Sequence, residues 1–139
     1  MKHIIFVCLG NICRSPMAEA IMKELAPQWN IESRATSSWE HGNPIHLGTR
    51  KILEHYHISY DKKKESQQIS KADADACDII LAMDQQNIND LKKMLPYSLH
   101  HKIHLLAKQD VPDPWYTGNF QETYLLISQA CQDWLKTLS

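Results

Sequence analysis

Four short strand-like runs alternate along the chain with longer segments of helical periodicity, and this alternation restricts the possible folds more than any other feature. The runs cover residues 3–7, 31–36, 78–83 and 103–106. Between them, apolar residues recur every three to four positions, as they do on the buried face of a helix. Strands that alternate with helices form a parallel sheet whose two faces are both covered. We therefore predict an α/β fold of three layers, in which a four-stranded parallel sheet is flanked by helices on both faces.

Capping residues and prolines predict where the first helices begin. Ser15 is a favourable N-cap and Pro16 suits the first turn, so the first helix is expected to follow Ser15. The Asn43-Pro44 pair is expected to open the second helix. Residues 61–76 are polar and rich in lysine, and we predict a surface loop there with a short helix near Lys71.

The second half of the chain adds further helices and a loop. Asp84 is expected to cap a helix that stops at Pro96. Residues 109–119 contain two prolines and a glycine and are predicted as a loop, whereas residues 120–138 have the clearest helical spacing. The carboxyl ends of the first and fourth strands should lie at the same edge of the sheet, which is where parallel sheets bind ligands.

The composition is that of an ordinary globular domain. Apolar residues make up 43% and charged residues 22%, and the net charge is −1. This balance offers no basic surface for nucleic acid, and no apolar run is long enough to span a bilayer. The N-terminus lacks the layout of a signal peptide. We expect a single domain over residues 1–139 that is cytoplasmic and monomeric, with neither a nucleic acid nor a membrane as partner.

The chain has four cysteines, Cys8, Cys13, Cys77 and Cys131. We expect free thiols, because the chain has no secretion signal and is large enough to be stabilised by packing. A metal site on the first two cysteines is disfavoured, since no further pair of cysteines or histidines completes it. A histidine cluster at residues 100, 101 and 104 is expected at the surface. We predict no metal and no cofactor.

Residues 8–15 (CLGNICRS) join the first strand to the first helix and have the composition of an anion-binding loop. Backbone N–H groups in this position converge on one centre, and the helix dipole adds positive potential. Gly10 and Asn11 readily adopt positive φ, which allows the backbone to curl. The guanidinium of Arg14 can hold two phosphate oxygens at once. We predict a phosphate site formed by Leu9, Gly10, Asn11, Ile12, Cys13 and Arg14.

Cys8 begins this loop and is the candidate nucleophile. A thiol that faces an anion-binding centre is expected to ionise, and its thiolate can attack phosphorus in line. Ser15 can donate a hydrogen bond to that sulfur. Considered one at a time, these residues have a simpler interpretation. Cys8 would be a buried cysteine at the end of a strand, and Arg14 would be a surface arginine. The preceding strand, the Gly-Asn pair and the following Ser-Pro and helix together favour catalysis.

Asp113 is the candidate general acid. Prolines on both sides stiffen its loop and restrict it to extended conformations. An acid near the scissile bond protonates the leaving oxygen, which carries much of the charge in phosphoryl transfer. Trp115 and Tyr116 follow directly and can form walls for a phenyl ring. Packing of one of these two rings on the last helix is the alternative.

The run VCLGNICRSP at residues 7–16 resembles the signature of the low-molecular-weight protein tyrosine phosphatases. The DPWY segment at residues 113–116 resembles the late acid motif of that family, and the match extends over nearly the whole chain. The resemblance implies a flavodoxin-like, phosphotyrosine phosphatase I-like fold. It further implies hydrolysis of phosphotyrosine in proteins, without metal, through a cysteinyl-phosphate intermediate that releases inorganic phosphate. Asp113 would act first as acid and then as the base that activates water.

The resemblance also implies roles for residues outside the core of the motif. Ser33 matches a serine that bonds Asn11 and holds the shape of the loop, and Trp39 matches a residue that lines the cleft. Cys13 matches a cysteine that forms a reversible disulfide with Cys8 under oxidation.

Ile12 bears on the substrate, because an apolar residue at this position resembles the tyrosine-directed members, whereas the related protein-arginine phosphatases have threonine. Glu40 is expected at the rim of the cleft, where its charge would disfavour acidic substrates. The predicted substrate pocket consists of Ile12, Trp39, Glu40, Trp115 and Tyr116. The chain departs from the family at residues 64–69, where members have a histidine and an Ala-Arg-Gln run, and at Trp115, where many have tyrosine. We expect the first departure to change the hydrogen bonds behind the loop and the second to change the shape of the ring pocket.

Three alternative functions stay open. A protein-arginine phosphatase of the same fold is disfavoured by Ile12. An arsenate reductase needs two further cysteines on one mobile segment, where this chain has only Cys77, while Cys131 falls on the apolar face of the last helix. A non-catalytic phosphate-binding module would not need Cys8, Cys13 and Asp113 together.

Overall fold

The computed structural model describes residues 2–139. Within them, four strands form one sheet in the order β2–β1–β3–β4. The strands are β1 (His3–Cys8), β2 (Asn30–Ala35), β3 (Ile79–Ala82) and β4 (Ile103–Leu105). All neighbouring pairs run parallel. The predicted α/β fold with a four-stranded parallel sheet is confirmed.

Helices cover both faces of this sheet. They are α1 (Arg14–Leu25), α2 (Leu47–His55), α3 (Lys71–Ala76), α4 (Gln85–Met94), α5 (Pro114–Thr117) and α6 (Phe120–Leu138), with a 3-10 helix at Tyr97–Lys102. Side chains of a strand point alternately to the two faces. Ile4 and Phe6 of β1 therefore pack with α1, α2 and α6, whereas Ile5 and Val7 pack with α3 and α4. In the part of the chain described, no helix is long and apolar enough to cross a membrane.

The first helix begins earlier than its predicted cap. It starts at Arg14, so Ser15 lies inside the first turn, and Cys13 occupies the cap position without a side-chain cap bond. The Ser15 hydroxyl lies 3.1 Å from the sulfur of Cys8 instead. The prediction that Ser15 caps α1 is wrong because this tertiary contact engages its hydroxyl.

The second helix begins later than predicted. It starts at Leu47. His46 caps it, because the His46 side chain accepts a hydrogen bond from Gly48 N. Pro44 lies before the helix and forms an isolated antiparallel bridge with Glu65. The prediction that Asn43-Pro44 opens α2 is therefore wrong.

The predicted loop at residues 109–119 contains the single turn α5. Asp113 caps it, Pro114 occupies the first position, and Gly118 ends it in the left-handed region at φ 72°. A single turn is too short to show helical periodicity, so only these caps could have revealed it. The short helix expected near Lys71 is present as α3, and Asp84 caps α4 as predicted.

The strand order places a crevice between β1 and β3. The chain passes from β1 to β2 on one side and then returns to β3 on the other. The connections that leave β1 and β3 therefore diverge, and ligands of parallel sheets bind at such switch points. Cys8 ends β1, and Asp84 follows β3 by two residues.

Candidate active site

The loop after β1 turns its carbonyl oxygens outward, because neighbouring elements hold them there. The oxygen of Leu9 accepts hydrogen bonds from the N and Oγ of Ser37, at 3.2 and 2.8 Å. The oxygen of Gly10 accepts one from Ser66 Oγ at 2.8 Å. These donors come from the segment after β2 and from the segment between α2 and α3.

Further along the loop, the carbonyl oxygens are again held outward, here by donors from the start of α2. His46 N donates to the oxygen of Ile12 at 2.8 Å, and Thr49 Oγ1 donates to the oxygen of Cys13 at 3.0 Å. In a trans peptide the N–H points opposite to the C=O. The N–H groups of residues 10, 11, 13 and 14 therefore point towards the cleft, which makes the loop an anion-binding nest.

Asn11 produces the curl of this loop. It adopts φ 55°, in the left-handed region that asparagine tolerates better than most residues. Gly10 does not have a positive φ, so the expectation that both residues adopt one is wrong for Gly10. Asn11 Nδ2 donates to Ser15 Oγ at 2.7 Å and to Ser33 Oγ at 3.0 Å, and these bonds hold the unusual backbone conformation.

Lys64 supports Asn11 from behind, in the region where the sequence departs from the family. Its Nζ donates to Asn11 Oδ1 at 3.1 Å and to the oxygen of Ser33 at 3.0 Å. Gln67 N also donates to Asn11 Oδ1, at 3.2 Å. Burial lowers the pKa of Lys64 from its ordinary value. The sequence marked this region as different, but nothing in it revealed that the lysine bonds Asn11.

Cys8 lies at the bottom of the cleft, where it is 3% exposed. Its sulfur accepts a hydrogen bond from Asn11 N at 3.2 Å, and Ser15 Oγ lies 3.1 Å away. That hydroxyl accepts a bond from Asn11 Nδ2, so its own hydrogen can be donated either to this sulfur or to the oxygen of Arg34, which is more distant at 3.4 Å. Burial raises the pKa of the nearby Cys13 thiol to about 12, and the charges of Cys8 and Asp113 add to this effect. Cys13 is therefore a neutral thiol at physiological pH.

Arg14 is buried beside the loop and held by two carboxylates. Its Nη1 donates to Asp84 Oδ2 at 2.8 Å and to the oxygen of Val111 at 2.9 Å, and its Nη2 lies 3.4 Å from Asp113 Oδ2. Burial alone would lower the pKa of the guanidinium, but Cys8 and these two carboxylates outweigh it and raise that pKa. Arg14 is thus a fixed cation at the cleft.

Asp84 is a site residue that sequence reasoning missed, since only its capping role was predicted. One oxygen of its carboxylate caps α4, accepting from Asn87 N at 2.8 Å, while the other holds Arg14. Its position after β3, the strand that pairs with β1, is the signal that could have revealed it.

Asp113 faces the loop from the start of α5. Its Oδ1 accepts a hydrogen bond from Trp115 N at 3.0 Å, which leaves Oδ2 towards Arg14. The rings of Trp115 and Tyr116 are 55% and 76% exposed, so neither is a core residue beneath α6. Trp39, which is 77% exposed, belongs to the same cleft.

One cleft brings together twelve of the residues predicted from the sequence. They are Cys8, Leu9, Gly10, Asn11, Ile12, Cys13, Arg14, Trp39, Glu40, Asp113, Trp115 and Tyr116. The two other predicted residues, Ser15 and Ser33, lie behind the loop and bond to Asn11.

Cys77, Cys131 and the histidines at residues 100, 101 and 104 do not line this cleft. Cys77 belongs to the core on the opposite face of the sheet from Cys8, and burial raises its pKa to about 11. Cys131 is fully buried in α6, and burial raises its pKa as well. His100 Nε2 lies 2.8 Å from the oxygen of Leu95. Within residues 2–139, no three His, Cys, Asp or Glu side chains are arranged to hold a metal ion.

Comparison with known proteins identifies the family. The family model of low molecular weight phosphotyrosine protein phosphatases matches residues 3–139. PtpA of Staphylococcus epidermidis, named a low molecular weight protein-tyrosine-phosphatase, is 42% identical over 143 residues, which covers 96% of this chain and 91% of PtpA. The crystal structure of SP-PTP, a low molecular weight protein tyrosine phosphatase from Streptococcus pyogenes, has a TM-score of 0.94 and 53% identity, covering 100% of this chain and 94% of that one.

A further similar structure is that of DARP, a Drosophila arginine phosphatase. Its TM-score is 0.90 and its identity 31%, and the match covers 100% of this chain and 98% of that one. The fold and the site define a cysteine-dependent phosphoric monoester hydrolase. The chain belongs to the low-molecular-weight protein tyrosine phosphatase family, as the sequence motifs predicted.

Proposed function

We propose that this protein hydrolyses phosphotyrosine in proteins in two steps, through a phosphate ester on the sulfur of Cys8. The observation that carries the proposal is the convergence of three groups in one cleft. The sulfur of Cys8, the guanidinium of Arg14 and the carboxyl of Asp113 all line it. Because the carbonyls of Leu9, Gly10, Ile12 and Cys13 point outward, the loop offers a phosphate its N–H groups beside the guanidinium.

In the first step the Cys8 thiolate attacks phosphorus, while Arg14 and the loop N–H groups bind the non-bridging oxygens. The bond between phosphorus and the phenolic oxygen breaks, and Asp113 gives its proton to that oxygen. In the second step Asp113, now ionised, takes a proton from water as the water oxygen attacks phosphorus. The phosphorus–sulfur bond breaks, inorganic phosphate leaves, and the thiolate is restored.

The residues behind the loop have supporting roles in this proposal. Asn11, Ser15 and Ser33 keep the loop curled and direct a hydrogen at the sulfur. Cys13, a neutral thiol in the same loop, can form a disulfide with the Cys8 thiolate when an oxidant removes two electrons from the pair and the proton of Cys13 is released. That disulfide would protect the nucleophile from irreversible oxidation.

The walls of the cleft favour a phenyl ring. Trp39, Trp115 and Tyr116 present aromatic faces at its rim, and Ile12 adds an apolar surface beside the phosphate site. Glu40 also lines the cleft, and its negative charge would disfavour acidic residues next to the phosphotyrosine.

Hydrolysis of phosphoarginine is the second candidate, because the similar structure of DARP is that of an arginine phosphatase. The apolar side chain of Ile12 offers no polar contact for a guanidinium group. We therefore place phosphotyrosine first.

The test compares Cys8→Ser and Asp113→Asn on a phosphotyrosine peptide and on a phosphoarginine peptide. Cys8→Ser should abolish turnover and the phosphate label trapped on the protein during turnover, because a hydroxyl lacks the nucleophilicity of a thiolate. Asp113→Asn should lower kcat by about 10²–10⁴-fold, which is the usual contribution of a general acid.

Asp110→Asn is the matched control, since this exposed carboxylate lies on the same loop and accepts a hydrogen bond from Gln85 N. It should retain activity. Turnover in Cys8→Ser would refute the mechanism. A higher kcat/KM for the phosphoarginine peptide would refute the substrate while leaving the mechanism intact.

A further inference from the structure

His46 connects three parts of the molecule that form the cleft, although no proposed catalytic step uses it. Its backbone N donates to the oxygen of Ile12 in the phosphate loop at 2.8 Å. Its ring Nδ1 accepts a hydrogen bond from Gly48 N at 2.9 Å and so caps α2. The ring of Trp115 in α5 meets the His46 ring edge-on, with centroids 5.6 Å apart and planes at 80°.

The His46 ring is also stacked on α6. Its centroid lies 5.2 Å from that of Phe120, with 20° between the ring planes. Gly48 makes this approach possible, since a Cβ there would lie only 2.3 to 2.6 Å from carbons of the Phe120 ring. The cap bond and the stacking therefore hold the histidine ring in one orientation, with Trp115 against it.

Trp115 links this ring to the candidate acid. Its N donates to Asp113 Oδ1 at 3.0 Å, which leaves Oδ2 to point at the cleft, 3.4 Å from Arg14 Nη2. The helix α5 has only four residues. A single turn has few hydrogen bonds of its own, so its orientation depends on the contacts of its side chains.

We propose that His46 is a positioning residue whose ring, through Trp115, orients the Asp113 carboxyl towards the leaving oxygen. This inference rests on the proposed function, in which Asp113 is the general acid. The histidine does not touch the reacting atoms. Removing its ring should therefore impair proton delivery while leaving attack by Cys8 and phosphate binding largely intact.

Two variants distinguish the role of the His46 ring from the role of its capping hydrogen bond. His46→Asn removes the ring but keeps a side-chain oxygen at the cap position, where asparagine is among the best residues. His46→Phe keeps an aromatic ring against Trp115 and Phe120 but loses the acceptor. If His46 only capped α2, His46→Asn would retain stability and activity, whereas His46→Phe would lose stability.

The kinetic measurement compares phenyl phosphate with p-nitrophenyl phosphate, whose better leaving group needs a proton less. In His46→Asn, kcat/KM, which reports the first step before Asp113 acts as base, should fall about 10-fold with phenyl phosphate and less than about 3-fold with p-nitrophenyl phosphate, as expected when an acid is misdirected. The melting temperature of this variant should stay within a few degrees of the wild type, because the retained cap offsets part of the lost ring packing. His46→Phe should keep the wild-type ratio between the two substrates and melt a few degrees lower. Equal losses on both substrates in His46→Asn, or no loss, would overturn the proposal.

A second measurement does not depend on activity. With 5-fluorotryptophan incorporated and the Trp115 signal assigned through Trp115→Phe, the fluorine shift between H₂O and D₂O reports the exposure of that ring. His46→Asn should increase this solvent shift, and His46→Phe should not. An unchanged shift in His46→Asn would overturn the positioning role even if the protein hydrolysed no aryl phosphate. If the shift changes but the protein shows no turnover that depends on Cys8, the proposed function is overturned and the positioning of Trp115 by His46 is not.

Discussion

Asn11 is the residue on which the hydrogen bonds behind the phosphate loop converge. Its side-chain nitrogen donates to two serine hydroxyls, and its side-chain oxygen accepts from Lys64 and from the backbone of Gln67. Reversing the amide would place its NH₂ group against the ammonium of Lys64. The lysine therefore decides which way the amide points, and that orientation holds Ser15 beside the nucleophile.

The variant Lys64→Met should weaken the binding of inorganic phosphate roughly 10-fold, because a hydrogen bond from a charged donor contributes about 1.5–3 kcal/mol. Without the ammonium, Asn11 can reverse its amide and loosen the loop. The inhibition constant of phosphate, or isothermal titration, measures the effect.

The control is Lys63→Met, which removes the exposed neighbouring lysine and should leave phosphate binding unchanged. If Lys64→Met binds phosphate as tightly as the wild type, the lysine does not hold the loop.

At the scale of elements, the segment between α2 and α3 shapes the phosphate loop from outside. Isolated bridges attach it at two points, pairing Gln68 with Ala35 of β2 and Glu65 with Pro44. Between these points, Ser66 Oγ donates to the oxygen of Gly10. Because Ser66 turns that carbonyl outward, it helps to keep the following N–H directed into the cleft.

We expect Ser66→Ala to weaken phosphate binding about 2- to 10-fold, the cost of one neutral hydrogen bond. The carbonyl of Gly10 would lose its donor and could turn towards the anion. Ser59→Ala is the matched control, since Ser59 is exposed in the connection after α2. Equal phosphate affinity in the two variants would show that the carbonyl keeps its direction without Ser66.

At the scale of the whole molecule, charged groups join β1, β2 and α3 along one edge of the sheet. Glu32 lies 2.6 Å from His3 and 3.1 Å from Arg34, which in turn lies 3.1 Å from Asp73. Burial acts to raise the pKa of each carboxyl, but hydrogen bonds and the charge of Arg34 outweigh it. The pKa values of Glu32 and Asp73 are thus both lower than usual in the folded protein.

This cluster should make stability fall in acid. A carboxyl with a lowered pKa in the folded state stabilises the protein above its unfolded value, about 4, and this contribution disappears as the pH falls through the folded value. Urea unfolding between pH 7 and 3 should show a shallower loss in Arg34→Met than in the wild type. Because these groups are partly exposed, each pair contributes less than about 1 kcal/mol.

Lys71→Met serves as the comparison, because Lys71 pairs with Asp75 on an exposed helix face. Its acid profile should follow that of the wild type. If the acid profile of Arg34→Met runs parallel to those of the wild type and of Lys71→Met, the cluster does not contribute to acid sensitivity.

The sequence by itself determined the α/β fold, the position of the phosphate loop and the choice of Cys8, Arg14 and Asp113 as site candidates. Each of these depends on a local pattern: the period of strands and helices, the CLGNICRS run, and an aspartate between two prolines. Where a tertiary contact competed with a local signal, the sequence-based prediction failed, as it did for Ser15 as the cap of α1.

Only the tertiary structure decided how the loop is shaped and how its charged groups are held. The outward carbonyl of Gly10, the amide orientation of Asn11 and the second role of Asp84 all depend on partners far away in the sequence. Strand order and the position of the segment between α2 and α3 bring those partners together, and no local period or cap encodes that placement. His46 illustrates the reason, because its neighbours Trp115 and Phe120 come within reach only when two distant helices meet its ring.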